Sequence, residues 1–118
     1  MQYYLGIDGG GTKTRCLLVD SEDRIVDSLT VGSTNHHNIG AEPAGRVLAD
    51  IMDYFSCWEL GGVCFAGAGV DVQRDVTLYR ELLRVPEGVP LCVCPDGLAA
   101  LVGANGGLTG GVIIAGTG

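Results

Sequence analysis

Basic residues are scarce in this sequence. Seven lysines and arginines stand against 14 aspartates and glutamates, which gives a formal net charge of -7 at pH 7. No cluster of Lys or Arg marks a surface for a nucleic-acid backbone, so we expect no nucleic-acid partner. A small anion such as a nucleotide needs only a local site, and the overall charge does not exclude one.

Long apolar runs are also lacking. No run approaches the roughly 18 residues that a membrane-spanning helix requires, so we expect no membrane contact. The chain has 118 residues, of which 47% are hydrophobic. This content suffices for one compact core and is a poor fit to two full domains.

We expect no signal peptide, and the number of cysteines, five, is odd. Because the cysteine count is odd, we expect reduced thiols and a cytoplasmic protein. Cys92 and Cys94 share one face of an apparent strand, but no second pair or suitably spaced histidine completes a metal site in the sequence. We therefore interpret them as buried core thiols. The cysteines are Cys16, Cys57, Cys64, Cys92 and Cys94.

The apolar segments predict a mixed sheet. Short apolar or β-branched segments bounded by turns are typical of strands, and they cover Tyr3–Asp8, Thr14–Val19, Arg24–Val31, Gly62–Ala66, Leu91–Cys94 and Gly111–Ala115. Short turns join the first three, which predicts an antiparallel meander. The later strands are separated by helical segments, and this spacing is typical of parallel crossovers.

Three segments predict helices. Apolar residues recur at helical spacing from Glu42-Pro43 to Trp58, and proline suits the first helical turn. We expect Asp71 to cap a second helix, whose inner face carries Val76, Tyr79, Leu82 and Leu83. A third helix is predicted over Asp96–Ala104. The order β-β-β-α-β-α-β-α-β predicts an α/β fold, with an antiparallel meander plus parallel strands and helices on both faces.

The strongest chemical signal is the glycine-rich turn Gly9-Gly10-Gly11-Thr12, which follows Asp8. Three glycines let backbone N–H groups approach a phosphate without interference from Cβ atoms. A P-loop requires Lys directly after its last glycine and then a helix, whereas Thr12 intervenes here and a strand follows. The dinucleotide pattern also opens a helix and is excluded for that reason. A tight hairpin with spare glycines is the alternative.

The stretch GIDGGGTKTRCLLVD, residues 6–20, resembles the first phosphate motif of the actin/hexokinase/Hsp70 ATPase superfamily. In particular it resembles the N-acetylglucosamine kinase-like branch of the BadF/BadG/BcrA/BcrD ATPase family. Three later stretches add to the resemblance, which extends over essentially the whole chain. Residues 33–36 are similar to a sugar-contacting loop, 95–100 to a strand-end Asp with an Ala-rich helix, and 114–118 to a second phosphate motif.

The resemblance implies a fold and a domain organisation. The fold is a ribonuclease H-like mixed sheet that forms one lobe of an actin-like ATPase. Residues 1–118 are then an N-terminal ATPase lobe, truncated at Gly118, whose C-terminal lobe and adenosine-binding motif are absent. We expect the lobe alone to bind ATP weakly and to turn over little. A homodimer is one form that the resemblance suggests for the full-length protein.

The resemblance also implies site residues. Asp8 binds Mg²⁺, Asp96 is the general base, and Asn35 and His36 contact the sugar. The phosphates of ATP are held by Gly9, Gly10, Gly11, Thr12, Gly116, Thr117 and Gly118. Each role has a structural alternative: a turn start for Asp8, a helix cap for Asp96 and an ordinary polar loop for Asn35 and His36. His37 stands where related sugar kinases often carry an aromatic residue.

The expected activity is ATP-dependent phosphate transfer to an amino sugar, at the 6-hydroxyl of a substrate like N-acetylglucosamine. One alternative is an ATPase that activates an acyl-CoA reductase or dehydratase, as BadF/BcrA-type proteins do. Another is a sugar-sensing module without catalysis. The retention of Asp8, Asp96 and both glycine motifs counts against that last reading.

Overall fold

The computed structural model describes residues 2–95, 100–102 and 112–114, the last two ranges by their backbone. Within these ranges the chain forms seven strands and three helices. The elements are β1 (Tyr3–Gly9), β2 (Lys13–Asp20), β3 (Ile25–Gly32), α1 (His36–Ile39), α2 (Ala41–Tyr54), β4 (Leu60–Gly67), α3 (Gln73–Leu83), β5 (Leu91–Pro95), β6 (Ala100–Val102) and β7 (Val112–Ile114).

Five strands form one mixed sheet in the order β3-β2-β1-β4-β5. β1 pairs antiparallel with β2, and β2 pairs antiparallel with β3. β4 lies parallel to β1, and β5 lies parallel to β4. The predicted meander followed by parallel strands is confirmed. Because β1, β4 and β5 are parallel, their carboxyl ends meet at one edge of the sheet.

The main core lies between one face of this sheet and helices α2 and α3. Alternate strand residues point to that face, as the strand pleat requires. Fully or almost fully buried members are Leu5, Ile7, Cys16, Leu18, Val63 and Phe65 from the sheet and Leu48, Ile51, Tyr79 and Leu83 from the helices. Burying such side chains stabilises the fold by about 1.5–3 kcal/mol each.

The opposite face carries a smaller cluster of Val19, Cys64 and Ala66, against which Tyr4, Leu17 and Cys94 pack. In the described ranges both long helices lie on the first face. The prediction of helices on both faces is therefore not seen among the described residues, which include only 100–102 of the helix predicted over Asp96–Ala104. The β6–β7 pair contacts β1, β2 and β4.

The predicted helix over Asp96–Ala104 is wrong at its centre. Residues 100–102 form β6, which pairs antiparallel with β7 in the register Ala100↔Ile114 and Val102↔Val112. The segment is short and is flanked by Gly97 and Gly103, both unfavourable in a helix. Its apolar residues therefore pair with a second apolar segment. The predicted strand at 111–115 is confirmed at 112–114.

Helix α2 is shorter than its apolar pattern predicts. It begins with Pro43 in its first turn, as expected, but ends at Tyr54, with Phe55 as the C-cap residue. Phe55 is still fully buried. Trp58 lies beyond the helix and packs edge-on against Tyr3, with 4.7 Å between ring centroids. No helix in the described ranges combines the length and the apolar character that crossing a bilayer requires.

The interpretation of Cys92 and Cys94 as buried core thiols is corrected by the sheet. Cys92 is exposed and Cys94 is half-buried. Both lie on β5, whose neighbour β4 brings the buried Cys64 beside them on the same face. The sequence pattern did not indicate this third thiol, because the strand order that joins β4 to β5 is a tertiary feature.

Candidate functional site

The carboxyl ends of β1, β4 and β5 form the edge of the sheet at which Asp8 and the glycine-rich turn lie. Gly9 pairs with Gly67, and Gly67 pairs with Pro95, so two strand spacings, about 10 Å, separate the end of β1 from the end of β5. Asp8 is buried one residue before the end of β1. The predicted base Asp96 directly follows Pro95 but lies outside the described residues, as do Gly116, Thr117 and Gly118.

The glycine-rich turn connects the antiparallel strands β1 and β2, in agreement with the predicted meander. The N–H of Gly10 donates to the Lys13 carbonyl over 2.9 Å. A Cβ atom at Gly9 would lie 2.7 Å from Thr34 Oγ1 and 3.1 Å from the Phe65 ring. A Cβ atom at Gly10 would lie 3.2 Å from the Lys13 carbonyl oxygen. Internal packing therefore explains the glycine at position 9 and favours one at position 10.

Gly11 differs from its two neighbours. Its φ does not lie in the left-handed region, and no heavy atom of the described chain beyond its own neighbours lies within 4 Å of a Cβ position there. Folding of the described residues therefore gives no reason for glycine at this position. Neither Gly11 nor Thr12 has an N–H that donates to a partner within the described ranges. The turn thus carries two backbone donors without a partner among the described residues, next to a Cβ position that none of those residues beyond the neighbours of Gly11 fills.

The loop after β3 contacts this turn directly. Ser33 Oγ donates to the Gly11 carbonyl over 3.3 Å, and Asn38 Nδ2 donates to the same oxygen over 3.4 Å. The phosphate turn and the sugar loop, predicted from separate motifs, are therefore neighbours. The contact of Asn38 was not foreseen, because Asn38 lies outside the motif on which the loop was identified.

Two buried hydroxyls lie behind the turn. Thr14 and Thr34 are fully buried, and their Oγ1 atoms are 2.9 Å apart. Thr34 is also the side chain that a Cβ at Gly9 would meet. This hydrogen bond joins the start of β2 to the loop that follows β3, so it holds the turn and the loop at a fixed separation.

The predicted sugar-contacting residues make internal hydrogen bonds. Asn35 Oδ1 accepts from the His37 N–H over 3.0 Å, which makes Asn35 the N-cap of α1. The His36 N–H donates to the Tyr79 hydroxyl over 3.0 Å, and this hydroxyl donates to the Thr34 carbonyl over 2.7 Å. The Asn35 amide nitrogen has no hydrogen-bond partner among the described residues, and the His37 side chain is 46% exposed.

Asp75 organises the histidines next to this loop. One of its carboxylate oxygens accepts from the N–H groups of Asp71 and Val72, at 3.0 and 3.1 Å. The other lies 2.8 Å from His36 Nε2 and 3.4 Å from His37 Nε2. The two backbone donors, and then His36 and His37, lower the pKa of Asp75 well below its usual range.

This arrangement corrects the predicted start of the second helix. Asp71 was expected to cap it, but the N-cap is Val72, and Asp75 in the first turn accepts from the preceding N–H groups. An acidic residue in a first helical turn is a sequence signal that could have identified Asp75. The link between Asp75 and His36 depends on tertiary packing and has no such signal.

The family comparison covers nearly the whole chain. A model of the BadF/BadG/BcrA/BcrD ATPase family matches residues 5–118. Among curated proteins, N-acetyl-D-glucosamine kinase of Dictyostelium discoideum is 29% identical over 133 aligned residues, which cover 99% of this chain and 42% of that protein. N-acetylmuramic acid/N-acetylglucosamine kinase of Clostridium acetobutylicum is 29% identical over 100% of this chain and 41% of its own length. The chain thus spans less than half the length of these relatives.

Solved structures show the same fold. A Chromobacterium violaceum protein described as an N-acetylglucosamine kinase superposes with a TM-score of 0.63 at 24% identity, over 92% of this chain and 40% of that one. A ROK family glucokinase from Streptomyces griseus, solved with glucose and AMPPNP, gives a TM-score of 0.63 at 20% identity, over 83% of this chain and 34% of that one. At these identities the likeness establishes the actin-like ATPase fold.

Proposed function

Because this chain belongs to the BadF/BadG/BcrA/BcrD ATPase family, we propose that it is the N-terminal lobe of an ATP-dependent kinase that phosphorylates an amino sugar. Two curated relatives named for kinases of N-acetylglucosamine, each 29% identical to the chain, support a substrate of this class. The acceptor that we propose is the 6-hydroxyl of an N-acetylglucosamine-like sugar. The second lobe, which carries the adenosine site, lies in the rest of the protein.

The observation that carries the proposal is the open side of the turn at Gly11. A phosphate oxygen there would accept from the backbone N–H groups of Gly11 and Thr12, and no described residue beyond the neighbours of Gly11 lies within 4 Å of a Cβ position at Gly11. Consecutive backbone N–H groups in a turn form an anion-binding concavity. This role explains a glycine that folding alone does not require. We assign a phosphate of ATP to this turn and propose Gly116–Gly118 as the second cradle, for the β- or γ-phosphate.

Asp8 is the residue that we propose for Mg²⁺. Its carboxylate lies two positions before Gly10 in the chain, and carboxylate oxygens are ligands that Mg²⁺ prefers. Mg²⁺ usually keeps several waters and is held by one or two carboxylates together with the phosphates of the substrate. One carboxylate next to a phosphate-binding turn suits such an ion. When bound, Mg²⁺ neutralises charge on the phosphates. Asp8 and the turn would hold this charge next to the transferring group.

Asp96 is the residue that we propose as general base. Its chain neighbour Pro95 ends β5 at the same sheet edge as the turn, which supports a shared site. The Asp96 carboxylate takes the proton of the sugar hydroxyl as that oxygen bonds to the γ-phosphorus. The bond from the γ-phosphorus to the bridging oxygen breaks, and ADP leaves. Positioning and charge stabilisation supply most of the catalysis in such transfers.

The sugar is proposed to lie against the loop of Asn35 and His36. The hydrogen bonds from Ser33 and Asn38 to Gly11 support this, because they hold the loop beside the phosphate turn. The Asn35 amide nitrogen supplies donors for a hydroxyl or an acetamido oxygen. His36 acts as a positioning residue, since its ring is engaged by Asp75.

We propose a cytoplasmic protein with reduced thiols, without nucleic-acid or membrane partners, and a homodimer as its assembly.

The test measures ADP release from ATP by the full-length protein. The assay is run with N-acetylglucosamine, with glucosamine, with glucose and without sugar. We expect release to depend on an amino sugar. The Asp96→Asn variant should lower the rate about 100-fold or more, the usual contribution of a general base, while ATP affinity stays within about twofold. Asp71→Asn removes an exposed carboxylate near the loop and serves as the control, with wild-type rates expected.

Two outcomes would contradict the kinase proposal. ADP release that is equal with and without every sugar would favour the ATPase activator. Sugar binding without ADP release, with ATP bound, would favour the sensing module. Undiminished sugar-dependent turnover in Asp96→Asn would remove Asp96 from the role of base.

A further inference from the structure

Three cysteines meet on the sheet face opposite α2 and α3. Cys64 on β4 pairs in register with Cys92 on β5, and Cys94 lies two residues further along β5. Residues two apart on a strand share a face, so all three side chains project to the same side. Their Sγ atoms all lie within 4.8 Å of one another. None of the three has a place in the kinase mechanism proposed above.

The surroundings of the thiols form a site that is closed on one side and open on the other. Cys64 is fully buried, Cys94 is half-buried and Cys92 is exposed. An ion can therefore reach the sulfurs past Cys92, while Cys64 anchors the site in the core. The remaining two cysteines lie elsewhere: Cys16 is buried on the other face of the sheet, and Cys57 is exposed just after α2.

The sulfur separations suit a single metal ion. A tetrahedral ion with metal–sulfur bonds of about 2.3 Å brings its sulfurs to roughly 3.8 Å from one another. The thiols need to close by no more than about 1 Å to reach this spacing, a distance within the reach of χ1 rotations. Three sulfur ligands favour soft d¹⁰ ions such as Zn²⁺ over Mg²⁺, which takes oxygen ligands.

The thiols also interact with one another. Hydrogen bonds from Cys64 and Cys92 lower the pKa of Cys94 to about 7, although burial acts in the opposite direction. The hydrogen bond with Cys94, and then burial and the neighbouring sulfurs, raise the pKa of Cys64. A bound metal ion would instead lower the pKa of the buried Cys64 thiol, since a coordinated thiol is deprotonated outright. Binding therefore releases protons.

We propose that Cys64, Cys92 and Cys94 form a three-thiolate zinc site, with the fourth coordination position open to water on the side of Cys92. The site is separate in chemistry from the Mg²⁺ position at Asp8, because its ligands are sulfur and not oxygen. It lies on the same face of the sheet, where Cys94 and Asp8 both pair with Ala66. A zinc ion there would join β4 to β5 next to the catalytic edge.

The test is a titration of the reduced, metal-free protein with Cd²⁺, which reports thiolate ligation by its ultraviolet charge-transfer absorbance. We expect one Cd²⁺ per chain, displaced only by a large excess of Zn²⁺ because thiolates bind the softer Cd²⁺ more tightly, and unaffected by excess Mg²⁺. Cys92→Ser and Cys94→Ser should each weaken Cd²⁺ binding about 100-fold or more, since outer-shell changes alone cost 10–100-fold. Because Cys92 is exposed, its serine variant should fold normally, which circular dichroism checks.

The matched control is Cys57→Ser, an exposed cysteine outside the cluster, which should bind Cd²⁺ like the wild-type protein. The site is overturned if the wild type shows no charge-transfer absorbance. It is equally overturned if Cys92→Ser and Cys94→Ser bind as tightly as the wild type, or if Cys57→Ser weakens binding as much as they do.

Discussion

Consecutive glycines in the turn between β1 and β2 have different physical roles. At Gly9 the limiting factor is space, because Thr34 Oγ1 and the Phe65 ring occupy the position of a side chain. At Gly11 no atom of the described chain beyond its neighbours does so. The sequence shows three equivalent glycines, and only the packing around each one separates a structural requirement from a requirement set by a ligand.

The pair Gly9→Ala and Gly11→Ala tests this distinction. We expect Gly9→Ala to lower the free energy of unfolding by about 1–3 kcal/mol, the usual cost of overpacking a core. Gly11→Ala should leave it unchanged or raise it by up to about 1 kcal/mol, because the unfolded chain loses freedom. Urea unfolding measures both.

The same two variants also report on the phosphate site. Under the proposed function, Gly11→Ala should weaken ATP binding about fivefold. This factor corresponds to a loss of about 1 kcal/mol in binding free energy, the net value of one hydrogen bond. Equal destabilisation by the two substitutions would show that the turn is uniformly packed and would refute the distinction. Unchanged ATP affinity in Gly11→Ala would remove the main support for the phosphate assignment.

At the scale of elements, the start of α3 is the feature that fixes the loop after β3. Asp75 accepts from two backbone N–H groups ahead of the helix and contacts both histidines of α1. Charged acceptors near a helix N-terminus are stabilised by the helix dipole as well as by these donors. One carboxylate therefore joins the helix to the loop, and its charge makes that link dependent on pH.

The pH dependence follows from the lowered pKa of Asp75. A depressed pKa in the folded state contributes stability that is fully present above the ordinary Asp value of about 4 and is lost as the pH falls towards the folded value. We expect Asp75→Asn to have a lower Tm than the wild type at pH 7, and this difference to narrow as the pH falls below about 4.

Asp71→Asn is the matched control for Asp75→Asn. The Asp71 carboxylate is exposed and lies 3.8 Å from His37 Nε2, so its loss should change the Tm little at any pH. Thermal unfolding of the three proteins from pH 2 to 7 makes the comparison. A constant difference between the wild type and Asp75→Asn at every pH would contradict the role of the charge.

At the scale of the whole molecule, contacts between distant parts of the chain assemble the site. Tyr79 belongs to α3, and its side chain is fully buried in the core. Its hydroxyl donates to the Thr34 carbonyl and accepts from the His36 N–H. Its ring stacks on Phe65 with centroids 4.5 Å apart, so the sheet core holds it in place. Loop, helix and sheet are thereby connected through one buried side chain.

Tyr79→Phe tests this connection, because it keeps the ring and removes the hydroxyl. We expect a loss of about 1–3 kcal/mol in the free energy of unfolding, since the partners of the hydroxyl lose a hydrogen bond. Tyr54→Phe, at an exposed tyrosine, should change it by less than about 0.5 kcal/mol. Urea unfolding compares the two, and similar losses would show that the Tyr79 hydroxyl has no special role.

Local patterns in the sequence predicted most of the elements correctly. The alternation and apolar runs of β1 to β5, the helical spacing of α2 and α3 and the hairpin at the glycines depend on neighbouring residues, which a sequence displays directly. The helix predicted at 96–104 failed at residues 100–102, because pairing with residues 112–114 outweighs a weak local preference. The roles of Asp96 and Gly116–Gly118 remain predictions from the family resemblance.

By itself, the sequence determined the mixed α/β fold, the family and the glycine-rich turn between two strands, because strand and helix periods and consecutive glycines are properties of short segments. Only the tertiary structure decided which side chains meet: the loop at Ser33 with the turn at Gly11, Asp75 with His36, and Cys64 with Cys92 and Cys94. The physical reason is that strand order and register are set by burial of the whole core. They bring together residues that are far apart in the chain, 22 positions for Ser33 and Gly11 and 39 positions for His36 and Asp75.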